Sequence, residues 1–467
     1  MSHAMTTADT GPRLDRLPLT PWHYRLAALI TAGLFLDTFE LYSGGGVLAA
    51  MVQSGWSTPS INATFLVVTF IGLVIGAWAA GILGDRFGRR FCYQANLALF
   101  GLASIAGGFA PDMTTLIVLR FFMGLGLGAE IVVGYATLAE FMPKASRGRV
   151  ISAVATVVNL SFFISLVIAY YVIPSLGWRA MFLMPGIAAM GVWFARKSMP
   201  ESPRWLESKG RIDEANRVLG EIEAKVARYA PLPPYVSAPM VPTEPVTVAV
   251  LFTPGVLRNT IVGIVINVSV GITLYGFLQW LPTVFVQRGL TLGSALQISM
   301  IMALGKSLGG LVGVGLADRV GRKPSIVVSS VVGAALGGWL IATSGVLFLV
   351  VGFGLAVCIG IANTVGFTVY VPELFETRFR LRGAGLCGAA GRLASSGVQY
   401  GVVYVLAVGG LGGLTAGLSG MLLVQALVVG LLGVETKKRA LDNQSVIADG
   451  AVPALAEAEP MKAVVQS

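Results

Sequence analysis

Charge is absent from three long stretches of the chain: Leu41 to Gly84, Pro324 to Pro372 and Leu393 to Val434. A helix that crosses the hydrocarbon layer needs about 20 apolar residues, so each stretch predicts two helices and a turn. Turn chemistry sits within each: Gly55-Trp56-Ser57-Thr58-Pro59 in the first, Ser344-Gly345 in the second, Gly409 to Gly413 in the third. Single apolar segments fill the gaps. The pattern predicts twelve spans, near 23–49, 60–83, 91–109, 113–140, 149–173, 178–196, 258–282, 293–316, 324–343, 347–371, 382–407 and 411–432.

Composition agrees with this reading. Of 467 residues, 55% are hydrophobic and only 12% charged, with 59 glycines, whereas a soluble domain carries roughly 25% charge. Soluble enzymes, disordered chains and fibrous proteins are excluded. Glycine without a collagen period suits helices packed closely in a membrane. Three cysteines in apolar stretches and two histidines offer neither a disulfide framework nor a metal-ligand spacing, so no metal site and no cofactor are expected. The net charge of +10 could suggest nucleic acid, but its placement does not. With both termini inside, 28 of the 33 Lys and Arg residues fall in inner segments and only Arg179 and Arg288 in outer loops. The positive-inside rule then sets the topology, a multi-pass protein with both termini cytoplasmic.

The expected organisation is a tail at 1–21, a six-helix bundle at 22–197, a linker at 198–257, a second bundle at 258–434 and a tail at 435–467. PESPRWLESKGRIDEANRVL, at the start of the linker, reads as a short amphipathic helix on the inner surface, and PLPPYVSAPMVPTEP as a Pro-rich connector. The tail after Glu435 reads as disordered. The bundles are copies. GDRFGRR at 84–90 recurs as ADRVGRK at 317–323, and AEFMPKASRGR at 139–149 as PELFETRFRLRG at 372–383. Both pairs share one offset, 233, as Asp85 to Asp318 and Glu140 to Glu373 show. Repeated halves around a midplane site are typical of secondary transporters.

The doubled Asp-Arg-x-Gly-Arg-Arg loop resembles that of the major facilitator superfamily. Pro200-Glu201-Ser202-Pro203-Arg204 and Pro372-Glu373-Leu374-Phe375 resemble its sugar-porter-related branch. FLDTFELY in span 1 and Trp280-Leu281-Pro282-Thr283 at the end of span 7 resemble the aromatic acid:proton symporter group within it. Thr38 and Glu40 depart from that group's Gly and second Asp. Sugar porters carry a paired Gln in span 7, which Asn267 to Gln279 lacks; span 5 lacks the Gly-Pro element of drug:proton antiporters. The resemblance implies an all-α membrane protein of twelve transmembrane helices in two six-helix bundles (the major facilitator fold), monomeric, in an inner (plasma) membrane, and a transporter rather than an enzyme. No catalytic set is present.

Ionisable groups deep in a membrane cost several kcal/mol or more, so each needs a reason. Six qualify: Asp37, Glu40, Arg120, Glu130, Lys306 and Arg392. Asp37 and Glu40, three apart, share a helix face. At 1.5 Å per residue, Glu40 lies about 14 Å and Asp37 about 18 Å below the outer end of span 1, and Arg120 about 10 Å below that of span 4. Burial and a second carboxylate favour the neutral acid, a nearby Arg the ionised one; a site so balanced can load and release a proton. Asp37 is the expected proton carrier and Arg120 its switchable partner, roles the resemblance also implies. A static ion pair is the plainer alternative. Glu130 reads as a second proton station or a packing pair. Arg392, without an acid at its depth in the second half, reads as the fork for a substrate carboxylate, or else as a cross-bundle partner of Asp37, Glu40 or Glu130. Lys306 adds positive potential to the cavity or snorkels to the surface. Phe39, Tyr42, Tyr135, Tyr275, Tyr400, Tyr404 and Trp280 are candidates for stacking on a flat ring, although core, lipid or interfacial positions are open to each. In the inner loops Asp85, Arg89, Glu140 and Arg147, and their copies Asp318, Arg322, Glu373 and Arg380, are expected to form ion-pair clusters that latch the inside-closed state.

The expected function is proton-coupled import of a small organic anion, an aromatic carboxylate such as a hydroxybenzoate, by alternating access. Its partners are that anion, protons and the lipid bilayer. Carriage of an aliphatic acid, nicotinate or a polyol, antiport or export, and a transporter-like nutrient sensor are the alternatives; the short tail disfavours the last.

Overall fold

The computed structural model describes residues 9–234, 248–376 and 379–437. Every regular element among them is helical. The spans, numbered as predicted, are Pro21–Gln53, Pro59–Phe87, Arg89–Gly108, Met113–Phe141, Arg147–Leu176 and Ala180–Arg196 in the first half. In the second they are Pro254–Gln287, Leu292–Arg319, Arg322–Leu340 and Gly345–Glu373, followed by one run, Arg380–Leu432. That last run breaks at Gly410, whose φ of 55° and ψ of −147° leave the helix, so it holds spans 11 and 12. Nine stretches among the described residues are long and apolar enough to cross a membrane on those criteria alone. Span 3, span 6 and the break at Gly410 bring the helical segments to the twelve expected.

Bare glycine faces let the helices within each half approach closely. A Cβ on Gly76 of span 2 would lie 2.0 Å from the Leu125 carbonyl oxygen of span 4, and one on Gly128 2.0 Å from the Leu73 oxygen. The second half repeats this: Gly309 of span 8, 233 residues on from Gly76, against the Val357 oxygen of span 10, 2.1 Å, and Gly360, 232 residues on from Gly128, against the Lys306 oxygen, 2.1 Å. In lipid, where apolar burial does not favour one helix neighbour over another, such close backbone approach is a main source of attraction.

The two halves meet at the end away from the charged loops. There Gln279 Nε2 donates to the Leu41 carbonyl (3.0 Å), the Tyr400 and Thr64 hydroxyls bond at 3.0 Å, and Gln297 Nε2 donates to Tyr170 (2.7 Å). The copies differ in helix type along two spans. Span 7 widens to a π-helix over Gly271–Leu278 and span 10 over Thr364–Tyr370, while the matching stretches of spans 1 and 4 are regular α-helix. Such π segments recur at functional sites.

The predicted amphipathic helix is two helices, Pro203–Ser208 and Ile212–Ala227, because Gly210 (φ 72°) ends the first. The second buries Ala215, Leu219, Ile222 and Val226, one helical face. The N-terminal segment adds a helix, Thr10–Asp15, docked on this pair through Arg13 and Arg16 to Glu223 (2.6 and 2.7 Å). Most of the Pro-rich connector, 235–247, and the tail from 438 lie outside the described residues.

Candidate functional site

The acids of span 1 are wholly buried, each about 1% exposed. Arg120, also buried, pairs with Glu40 through Nη1 and donates from Nε to Thr69 Oγ1 (2.9 Å), with its guanidinium over the Phe65 ring at 4.8 Å. The expected partner was Asp37; the structure corrects this. Counted from the charged ends of spans 1 and 4 at 1.5 Å per residue, Asp37 lies at about 24 Å, Glu40 at about 28 Å and Arg120 at about 32 Å. The guanidinium therefore meets the acid nearer its own depth, one turn beyond Asp37. Neither carboxylate oxygen of Asp37 has a hydrogen-bond partner; its electrostatic neighbours are Glu130, Arg196 and Glu40.

Glu130 pairs with Arg196, Nη2 to Oε1 2.5 Å, both side chains 1% exposed. Arg196 closes the apolar run of span 6, precedes Lys197 and falls among the 28 inner-segment cations. The structure turns it inward, where Nε and Nη2 donate to the carbonyls of Leu29 and Ile30 (3.0 and 3.1 Å). Gly33 makes the notch: a Cβ there would lie 2.0 Å from Nη2. The first half thus buries three carboxylates and two guanidiniums in one neighbourhood. Position 233 residues on from Glu40 is Thr273, and from Glu130, Asn363. Those two are hydrogen-bonded, Asn363 Nδ2 to Thr273 Oγ1, 3.1 Å. At those offset positions the second half carries neutral residues.

The cations of the second half are different. Lys306 is buried with Nζ 5.7 Å from the Phe162 ring centre of span 5, which excludes snorkelling. Arg392 is half-buried and interacts with Tyr275. Among the described residues neither has a carboxylate partner, so the cross-bundle pairs considered for Arg392 are not formed. Aromatic rings surround them: Tyr42 stacks on Tyr275 (6.2 Å) and meets Phe162 edge-on (5.0 Å), and Phe70 meets Tyr275 edge-on (4.8 Å). Phe70 and Phe162 were not singled out from sequence, as apolar rings in apolar helices give no signal. Phe39 stacks on Phe35, also of span 1 (6.3 Å), and Tyr135 is half-buried within electrostatic reach of Tyr42. Tyr400 and Tyr404 are exposed (47% and 70%), the former spent on Thr64. Trp280 is buried, donating to Gln399 Oε1 (2.7 Å), and is not at an interface.

The loop charges form one cluster in each half. Arg89 binds Glu140 (2.9 Å) and Asp85 (3.3 Å); Arg322 binds Glu373 (3.1 Å) and Asp318 (3.3 Å). Arg147 and Arg380 donate to the carbonyls of Met142 and Phe375, each at 3.2 Å, and Arg147 also pairs with Asp15. Each of these pairs stays within its half, so in this structure the expected clusters tie the helix ends of one bundle together. A carboxylate caps each loop: Glu201 accepts from the N–H groups of Arg89 (2.8 Å) and Arg90 (3.2 Å), and Glu435 from those of Arg322 (3.0 Å) and Lys323 (3.1 Å). Anions are favoured at helix N-termini. Gly88 and Gly321, at φ 95° and 119°, leave these carboxylates room; a Cβ on Gly88 would lie 2.2 Å from Glu201. Glu435 lies in a tail of no evident pattern and was missed.

The family model described as Major Facilitator Superfamily matches residues 30–398. The inner membrane metabolite transport protein YdjE of Escherichia coli is 36% identical over 93% of this chain and 98% of its own length. The niacin transporter NiaP of Acinetobacter baylyi is 28% identical over 93% and 99%. Among solved structures, the partially occluded inward-open xylose transporter XylE of E. coli superposes with a TM-score of 0.71 at 17% identity, over 90% of this chain and all of that one.

Proposed function

The chain belongs to the Major Facilitator Superfamily, whose members are transporters and not enzymes, and from that premise we propose that it imports a small aromatic carboxylate together with a proton across an inner membrane, both termini cytoplasmic. The observation that carries this reading is the division of charge between the halves. The first half buries acids; the second holds two cations without acid partners among the described residues, the buried Lys306 and the half-buried Arg392, beside the rings of Phe162, Tyr42 and Tyr275. A buried cation without a counter-charge is costly, and a substrate carboxylate supplies the missing charge. Arg392 offers a bidentate fork and Lys306 a point charge; the stacked rings suit a flat substrate. The niacin transporter NiaP agrees with this class, since niacin is itself an aromatic carboxylate.

Asp37 is the proton carrier in this reading. With Arg120 held by Glu40 and Arg196 by Glu130, Asp37 has no cation of its own and sits in the membrane most cheaply as the neutral acid. Proton and anion enter together, and the halves then rock about the seam.

The experiment is uptake into proteoliposomes of labelled 4-hydroxybenzoate, nicotinate, hexanoate and xylose under an imposed acid-outside gradient. Gradient-driven accumulation of the aromatic acids, lost in Asp37→Asn and cut at least tenfold in Arg392→Lys, is the expected result. Uphill uptake that survives Asp37→Asn, or a preference for xylose, would refute the proposal.

A further inference from the structure

Glu130 and Arg196 enter the scheme above only as a pair that leaves Asp37 without a cation, and their geometry assigns them a further task. From the charged end of its helix Glu130 lies at about 16 Å and Asp37 at about 24 Å, so Glu130 is on the charged-end side of the carrier. Both of its carboxylate oxygens lack an aligned hydrogen-bond donor, while Arg196 donates from Nε and Nη2 to the Leu29 and Ile30 carbonyls. It is held by charge at 2.5 Å, and Asp37 interacts with both partners. The charged groups around Asp37 are Glu40 on its own helix, Glu130 and Arg120 on span 4 and Arg196 on span 6. Spans 2 and 5 contribute hydroxyls, Thr69 on Arg120 and Ser161 on Thr38 (2.9 Å for each bond). Fully ionised, three carboxylates face two guanidiniums, one negative charge too many for a dry site. One proton makes the cluster neutral.

We propose that Glu130 and Arg196 form a second proton station on the charged-end side of Asp37, and that Arg196 fixes the cluster's requirement at one proton. The inference rests on the symport reading. In the step, the O–H bond of Asp37 breaks and one forms on Glu130, while Arg196 Nη2 moves from Glu130 to the new Asp37 carboxylate. The proton then leaves Glu130 for water at the charged end, and Arg196 returns. Arg196 is a positioning residue here: it sets which carboxylate is ionised and does not touch the substrate.

The charge count makes the test sharp. Glu130→Gln leaves two carboxylates for two guanidiniums, so no proton is needed. Gradient-driven accumulation of labelled 4-hydroxybenzoate or nicotinate should fall at least tenfold, while exchange of the same compound stays within twofold of wild type. Glu130→Gln/Arg196→Gln restores one excess acid but not the station, so its proton count should return to that of the wild type while accumulation stays at least tenfold low. A merely structural pair would lower exchange and accumulation together, along with Tm. A substrate-free arm counts protons released between pH 5 and pH 9 by the detergent-solubilised protein: one fewer per chain in Glu130→Gln than in wild type, and recovery in the double variant. If Glu130→Gln does not fold, the double variant carries the test: a wild-type proton count with accumulation at least tenfold low is expected, and a missing proton or near-wild-type accumulation in the folded double variant overturns the proposal. Undiminished accumulation or an unchanged proton count in folded Glu130→Gln overturns it as well. If the wild type carries neither compound, the aromatic-anion reading falls, and the proton count still decides the station.

Discussion

A Glu40→Gln substitution would leave the Arg120 guanidinium fully buried without its carboxylate. Arg120 has no exposed side-chain surface; its remaining contacts are Thr69 Oγ1 at 2.9 Å, Met123 Sδ at 3.7 Å and the Phe65 ring at 4.8 Å. None carries a negative charge. Removing one partner of a buried pair costs roughly 3–5 kcal/mol. In a folding unit of roughly 150–250 residues each kcal/mol moves Tm by about 2–4 °C, so a fall of about 6–20 °C is expected. Removing both charges in Glu40→Gln/Arg120→Gln replaces the pair by two amides of similar shape and should recover at least half of that loss, since the stranded cation is then gone. The assay is intrinsic-fluorescence thermal unfolding of the purified protein in detergent at neutral pH, for wild type, both single variants and the double. A fall below about 2 °C in Glu40→Gln would refute the reasoning, because Arg120 would then have a carboxylate elsewhere. A double variant as unstable as the two single losses added would do the same.

Three further outcomes are expected. Gly76→Leu should abolish a folded monomer peak in fluorescence-detected size exclusion, because its Cβ alone meets the Leu125 carbonyl at 2.0 Å; Gly81→Leu, with open space around it, should behave as wild type. Burial pushes the Glu223 carboxyl up, but Arg13 and Arg16 outweigh it and hold the group below its ordinary 4.5, so its ionised form favours docking. That contribution is complete above pH 4.5 and lost as pH falls through the lowered value, and hydrogen exchange of residues 10–16, corrected for intrinsic rate, should accelerate below pH 4.5 but not between 6 and 8. Asp85, 79% exposed at its side chain, makes a surface pair worth about 0–1 kcal/mol; Asp85→Asn should leave Tm within about 2 °C, and any slowing of 4-hydroxybenzoate turnover at unchanged Tm reports on the balance of the two states.

Much of this molecule is decided one segment at a time. Backbone groups in hydrocarbon must be satisfied within their own helix, so apolar length alone predicts the spans, and the loop cations alone predict which ends they share. The 233-residue repeat extends further than the two loop motifs: Gly76 and Gly309 occupy one packing position. The deep charges were evident for the same reason, since an ionisable residue inside an apolar run stands out against its cost.

Partnership was not evident. Whether Arg120 takes Asp37 or Glu40 turns on about 4 Å of depth between adjacent turns, and that depth follows from how Gly72, Gly76 and Gly128 seat span 2 on span 4. Arg196 reads as a loop cation until Gly33, more than 160 residues earlier, opens the notch that admits it. Glu435 becomes the copy of Glu201 only where the chain returns to the N-terminus of span 9. The sequence by itself determined what must lie in the membrane, because transfer into hydrocarbon depends on each segment's own composition. Which charge neutralises which was left to the tertiary structure, because electrostatic pairing depends on distances between helices that no single segment contains.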